Sequence, residues 1–170
     1  MAEAPTFEAL FGSCRRSAVH LEMRDGYMRS DPAFIDWAAD KVIDPAERWR
    51  DWLDTVKQAT ERGVSVRRAR IVSEPVSDYI RFEHSVTEGL NINAGEMVGW
   101  LPRREATSLA LPGNDYWVFD DKTALVNHFD GNGDSLHHEY SEDPHLVSFL
   151  ASAFEAVWEK TIPHAEYRLA

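Results

Sequence analysis

The stretch from Gly113 to Tyr140, GNDYWVFDDKTALVNHFDGNGDSLHHEY, constrains the fold more than any other. Three short runs rich in aromatic and apolar residues are separated by two polar turns, Asp120-Asp121-Lys122 and Asp130-Gly131-Asn132-Gly133-Asp134. Aromatic and β-branched side chains suit a pleated, half-buried surface, and Asp, Asn and Gly accept the left-handed backbone of tight hairpins. The spacing predicts a three-stranded meander. No complete catalytic or metal signature lies within it, so it speaks to architecture rather than to chemistry.

Helical periodicity brackets this meander. Phe7, Leu10, Phe11 and Cys14 fall on one stripe of a short helix over 6–14, and Phe34, Ile35 and Trp37 mark another near Pro32–Ala39. The clearest helix is 45–62: Asp44 is an N-cap, Pro45 suits the first turn, Trp49, Trp52, Leu53, Val56 and Ala59 share a face, and Gly63 supplies the stop. Residues 75–88 and 143–161 read as further helices, and a short one is expected over 103–109. Strands are expected at 17–23, with Val19 and Leu21 on one face and His20 and Glu22 on the other, at 64–72 and at 96–101, the last preceded by a turn-rich GLNINAG connection. The pattern predicts one α+β domain over residues 1–170, with a mixed, mostly antiparallel sheet flanked by helices.

The chain has 170 residues, 44% of them apolar, enough for a packed core. With 18 basic against 29 acidic residues its net charge is −11, which disfavours direct contact with nucleic acid or an anionic membrane. The single cysteine, Cys14, allows no intramolecular disulfide. The leading MAEAPTFEALFG has neither the basic nor the apolar region of a secretory signal, and no segment reaches the roughly 18 apolar residues of a membrane helix. A cytoplasmic location is expected.

Candidate chemistry is sparse. Asp130, Asn132 and Asp134 alternate as in a calcium loop, but Ser135 and Ser141 stand where the required glycine and closing glutamate belong, so a hairpin turn is favoured. His128, His137, His138 and His145 crowd one region, with His137 and Glu139 on one strand face and His138 and Tyr140 on the other. No ligand spacing accompanies them, so no metal is expected. Arginines recur at 62, 67, 68, 70 and 81. Arg68, Arg70 and Arg81, together with Asp120, make a candidate anion pocket, since converging guanidinium groups clamp carboxylates and phosphates; the alternative pairs these arginines with Glu74, Asp78 and Glu83. Asp78, Tyr79, Arg81 and Glu83 make a candidate partner-binding patch. Cys14 lies on an apolar stripe, and neither a GxSxG elbow nor a glycine-rich phosphate loop is present, so no catalytic residue and no cofactor is indicated.

FEALF (7–11), SAVHLEMRDGY (17–27), WRDWLDTVKQATERGVSVRRARIVSEPVSDYIRFE (49–83), NINAGE (91–96) and DYWVFDD (115–121) together resemble the actinobacterial family designated domain of unknown function 6879. That resemblance implies a regulatory or accessory role near helix-turn-helix regulators and carries over no catalytic residues. The element order is also similar to degenerate phospholipase-D-like domains, whose active members need HxKxxxxD. The sequence at His128 reads HFDGNGD, with Asp130 in place of the lysine, so that chemistry is not expected. Two functions remain open: a non-catalytic regulatory protein that contacts another protein, such as a helix-turn-helix regulator, or a sensor or enzyme for a small anionic ligand.

Overall fold

The computed structural model describes residues 4–170; Met1–Glu3, the start of the segment read as lacking a signal, lie outside them. In chain order the elements are α1 (Phe7–Ser13), β1 (Ser17–Glu22), α2 (Pro32–Ala38), α3 (Pro45–Arg48), α4 (Arg50–Glu61), β2 (Ser65–Val72), α5 (Asp78–Thr87), β3 (Met97–Pro102), β4 (Asp115–Phe119), β5 (Thr123–Phe129), β6 (Ser135–Ser141), α6 (Pro144–Trp158) and β7 (Ile162–Pro163). The strands form one sheet in the order β6-β5-β4-β1-β2-β3-β7. The β1–β2 and β2–β3 pairings are parallel, and every other pairing is antiparallel. This is the mixed, mostly antiparallel α+β architecture the sequence predicts.

The meander is in place, and Asp120 and Asp121 both adopt positive φ (53° and 54°), the geometry of a two-residue hairpin turn. In the second turn the Asp130 carboxylate accepts from the Asn132 and Asp134 amides, so it is engaged in shaping the loop.

Helices cover both faces of the sheet. α6 lays Val147, Leu150, Phe154 and Val157 on Val19, Leu21, Ala69, Ile71, Tyr116 and Val118. On the other face α1 and α4 pack Leu10, Phe11, Leu53 and Val56 against Ala18, Val66, Trp117 and Phe119. Strand β1 is therefore buried on both sides: the face of Val19 and Leu21 and the face of His20 and Glu22 are both interior. A strand sandwiched between helical layers has no solvent face, so alternation in its sequence marks two interiors.

Other local expectations also change. The expected 45–62 helix breaks at Trp49, whose backbone (φ −119°, ψ 40°) leaves the helical region while its ring packs near Phe82. Residues Glu88–Ile92 form a π-helical turn continuing α5 instead of an open connection, and Arg103–Ala106 is a 3-10 turn. Among the described residues no helix is long and apolar enough to cross a membrane.

Candidate functional site

The sheet face beneath α4 and α5 carries a row of charges where apolar side chains would be usual. Parallel register sets His20 beside Arg68 and Glu22 beside Arg70, with Trp100 opposite Arg70 on β3. Period-two alternation then sends all of these toward the same layer. Arg68 donates from Nε and Nη2 to Glu96 (3.0 and 3.1 Å) and from Nη1 to Glu22 (2.5 Å). Arg70 donates from Nε to Glu22 (2.5 Å) and from Nη1 to the Thr87 hydroxyl (2.7 Å). Asn91 donates from its side-chain amide to Glu96 Oε2 (2.7 Å), the oxygen that Arg68 Nε also holds.

The His20 ring is stacked 4.3 Å from Trp117, with Nδ1 2.8 Å from the Tyr116 carbonyl and Nε2 3.1 Å from Glu22. Both nitrogens face acceptors, and the ring donates to both only when it carries two protons. The guanidinium groups lie over aromatic rings, Arg68 at 5.3 Å from Trp117 and Arg70 at 5.0 Å from Trp100.

Burial alone would push the Glu22 carboxyl up, but Arg70 and Arg68 outweigh it and hold Glu22 well below the ordinary carboxylate range. Burial likewise opposes the charge on Arg68 and Arg70, and the flanking glutamates outweigh it and keep both firmly protonated. Glu83 is the exception. Its Oε2 is buried, has no hydrogen-bond partner among the described residues, and lies 3.7 Å from Arg70 Nε. Burial dominates there, with Arg70 pulling down and Glu22 pushing up, and the carboxyl is raised to about 7.

Above this network opens a cleft of about 460 Å³. Its floor includes His20, Arg68, Arg70 and Glu83, and its walls are largely aromatic, among them Trp49, Trp52, Tyr79 and Phe82.

Of the residues singled out from sequence, Arg68 and Arg70 meet in this cleft, as do Tyr79 and Glu83 from the candidate partner patch. The four-residue anion grouping is corrected. Arg81 lies on the exposed side of α5, as does Asp78, and Asp120 sits at the β4–β5 turn. There Asp120 accepts from the Arg15, Arg16 and Ser17 amides. Burial works against that carboxylate, but the three amides outweigh it and lower it to about 2. Arg67 instead forms a two-pronged pair with Glu155 on the opposite face. Glu74 pairs with Arg104, so of the acids first considered as partners only Glu83 reaches the arginine pair.

Sequence reasoning missed Glu22 and Glu96, which do most of the neutralising. Their signal was present as acids bordering apolar strands. His128 and His137 stack at 4.5 Å with Glu139 on His128 Nε2, while His138 turns to Asn127 on the other face. Cys14 is buried against Asp120, and burial together with that carboxylate raises its thiol to about 11, far from a reactive thiolate.

Residues 5–169 match the family described as domain of unknown function (DUF6879), and the chain belongs to that family. No curated protein matches it by sequence. Among solved structures it is similar to a phospholipase D family member, Nuc from Salmonella typhimurium. That match has 12% identity and a TM-score of 0.52, and it covers 95% of this chain and 88% of that one. A more distant likeness is to TrmBL2, an archaeal chromatin protein, with 13% identity and a TM-score of 0.47 over 91% of this chain and 47% of that one. At such identities the phospholipase D likeness speaks to the fold alone.

Proposed function

We propose that this member of the family is a non-catalytic, cytoplasmic regulatory protein that acts by contact with a basic protein, and that its aromatic cleft receives a lysine or arginine side chain of that partner. One observation carries the reading: the arginines on the cleft floor are already neutralised by Glu22 and Glu96, while Glu83 retains an oxygen with no donor among the described residues. An anion entering the cleft would meet guanidinium groups whose charge Glu22 and Glu96 already balance. A cationic side chain would bring Glu83 its missing donor and place its charge among the rings of Trp49, Trp52 and Tyr79.

The net charge of −11 draws a basic partner in over long range. A helix-turn-helix regulator, basic on its DNA-facing side, has that chemistry. Exposed Met28 offers an apolar contact at the cleft's rim.

Titration of the purified chain with a basic helix-turn-helix regulator, followed by tryptophan fluorescence, tests the reading. Binding is expected to weaken with salt and to lose about tenfold in affinity in Glu83→Gln, the worth of one charge-assisted hydrogen bond. Association that ignores both salt and Glu83→Gln, or its absence at low salt, overturns the proposal.

A further inference from the structure

We propose that a second hollow, at the carboxyl ends of the parallel strands, is a separate binding site for a phosphorylated small molecule. Because β1, β2, β3 and β5 all point the same way, the segments that follow them gather at one edge of the sheet. Residues of Met23–Ser30, Ser77, Arg103 and the Gly131–Asp134 turn line an open hollow of about 740 Å³ there. Ligand sites in sheets with parallel strands favour that edge, and roughly 300–1,000 Å³ is the size range of small-molecule pockets.

Three arginines line this hollow: Arg24, Arg29 and Arg103. Arg103 is fixed in place. Its Nη2 donates to the carbonyls of Met23 (2.6 Å) and Ile71 (3.1 Å), and its Nε donates to the Ser73 hydroxyl (2.9 Å). Its Nη1 has no hydrogen bond among the described residues. Arg24 lies over Phe129 at 5.5 Å, with Nη2 3.3 Å from the Asp130 carbonyl, and its buried Nε has no partner. Arg29 is exposed, and among the described residues neither it nor Arg24 forms an ion pair.

Two carboxylates share the lining. Asp25 is occupied by the Ser73 amide (2.7 Å) and hydroxyl (2.6 Å) and stands 3.5 Å from Arg103, while Asp134 is an exposed rim residue. In a chain with 29 acidic residues, positive charge left over in a cavity is unusual and calls for an external anion. A phosphate dianion suits it best, because tetrahedral oxygens accept guanidinium forks from several directions at once. The start of α5, capped by Ser77, adds positive potential on the same side.

Isothermal titration of the full chain with inorganic phosphate at fixed ionic strength, with malonate in parallel, tests the site. Phosphate is expected to bind saturably at one per chain and more tightly than malonate. Arg29→Gln is expected to lose about tenfold in affinity, as removal of one charge-assisted contact implies, and so is Arg24→Gln. Arg29 is exposed and forms no hydrogen bond or ion pair among the described residues, so its loss of binding is not a folding defect. The surface control Arg81→Gln leaves the affinity unchanged, and Glu83→Gln does too, which separates this site from the cleft. A response no different from chloride, tighter malonate binding, or equal losses in Arg29→Gln and Arg81→Gln overturns the proposal.

Discussion

Arg68 and Arg70 stand in the middle of the sheet, and Arg24, Arg29 and Arg103 stand at its edge; the two groups are compensated in opposite ways. In the middle every guanidinium is met by a glutamate and an aromatic face, and nothing ionic is left to water. At the edge one carboxylate is committed to Ser73 and two arginines form no ion pair among the described residues. The cost of burying an uncompensated ion explains the first arrangement, since several kcal/mol per charge forces partners to be supplied from within the chain. Solvent relieves that demand at the edge, so charge can be held there for something else. Matched interior charge builds the fold and fixes the cleft floor. Unmatched edge charge is available for binding.

The sharpest way to break this comparison is Arg70→Met. It strands Glu22 and Glu83 without their strongest partner and is expected to cost about 3–5 kcal/mol, read as a fall in the urea midpoint. A loss no larger than that of a surface substitution would show that the interior network does not stabilise the fold.

Glu83→Gln probes the one weak joint in the network. Burial raises that carboxyl to about 7, so in the wild-type chain ionisation costs stability as pH climbs from the ordinary carboxylate range toward neutrality. The variant avoids this cost. It is expected to melt higher than the wild type at pH 8, by an amount on the order of 1–3 kcal/mol, and close to it at pH 4. A lower melting temperature at pH 8 would mean Arg70 already satisfies Glu83.

Asp120→Asn gives the anionic counterpart, a carboxylate compensated by backbone amides instead of arginines. Its carboxyl is lowered to about 2, so its contribution is complete above the ordinary Asp range and disappears as pH falls through 2. The substitution is expected to cost about 1–2 kcal/mol at neutral pH in urea denaturation and nothing once the pH is well below 2. A cost that persists in acid would assign it to shape instead of charge.

The parts of this molecule legible in sequence are those set by neighbours along the chain. The Asp120-Asp121 turn, the Asp44 cap and the Gly63 stop carry their own conformational reasons, and the meander followed from them. The break at Trp49 did not, because it answers to Phe82, far along the chain. Arg68 and Arg70 were correctly placed on one face by period two. Arg81 was misassigned because α5 turns inward through Tyr79, Phe82 and Val86, which leaves position 81 on the opposite side. Glu22 reaches Arg70 across 48 residues, a contact only the parallel pairing of β1 and β2 creates. The edge cluster left no sequence signal at all. Arg24, Arg29 and Arg103 are neighbours only because separate strands end at one rim.

The smallest expected effect is the most telling for the edge. Arg29→Gln removes an exposed guanidinium that forms no ion pair among the described residues, so stability should stay within about 0.5 kcal/mol of wild type when no ligand is added. With inorganic phosphate present, wild type should gain melting temperature while the variant gains far less, because only binding to the folded state raises it. The same arginine would thus be silent in folding and audible in binding, the reverse of Arg70. If Arg29→Gln instead destabilised the ligand-free chain by as much as an interior substitution, the edge arginines would be structural, and the distinction between the two clusters would collapse into one network that extends to the rim of the sheet.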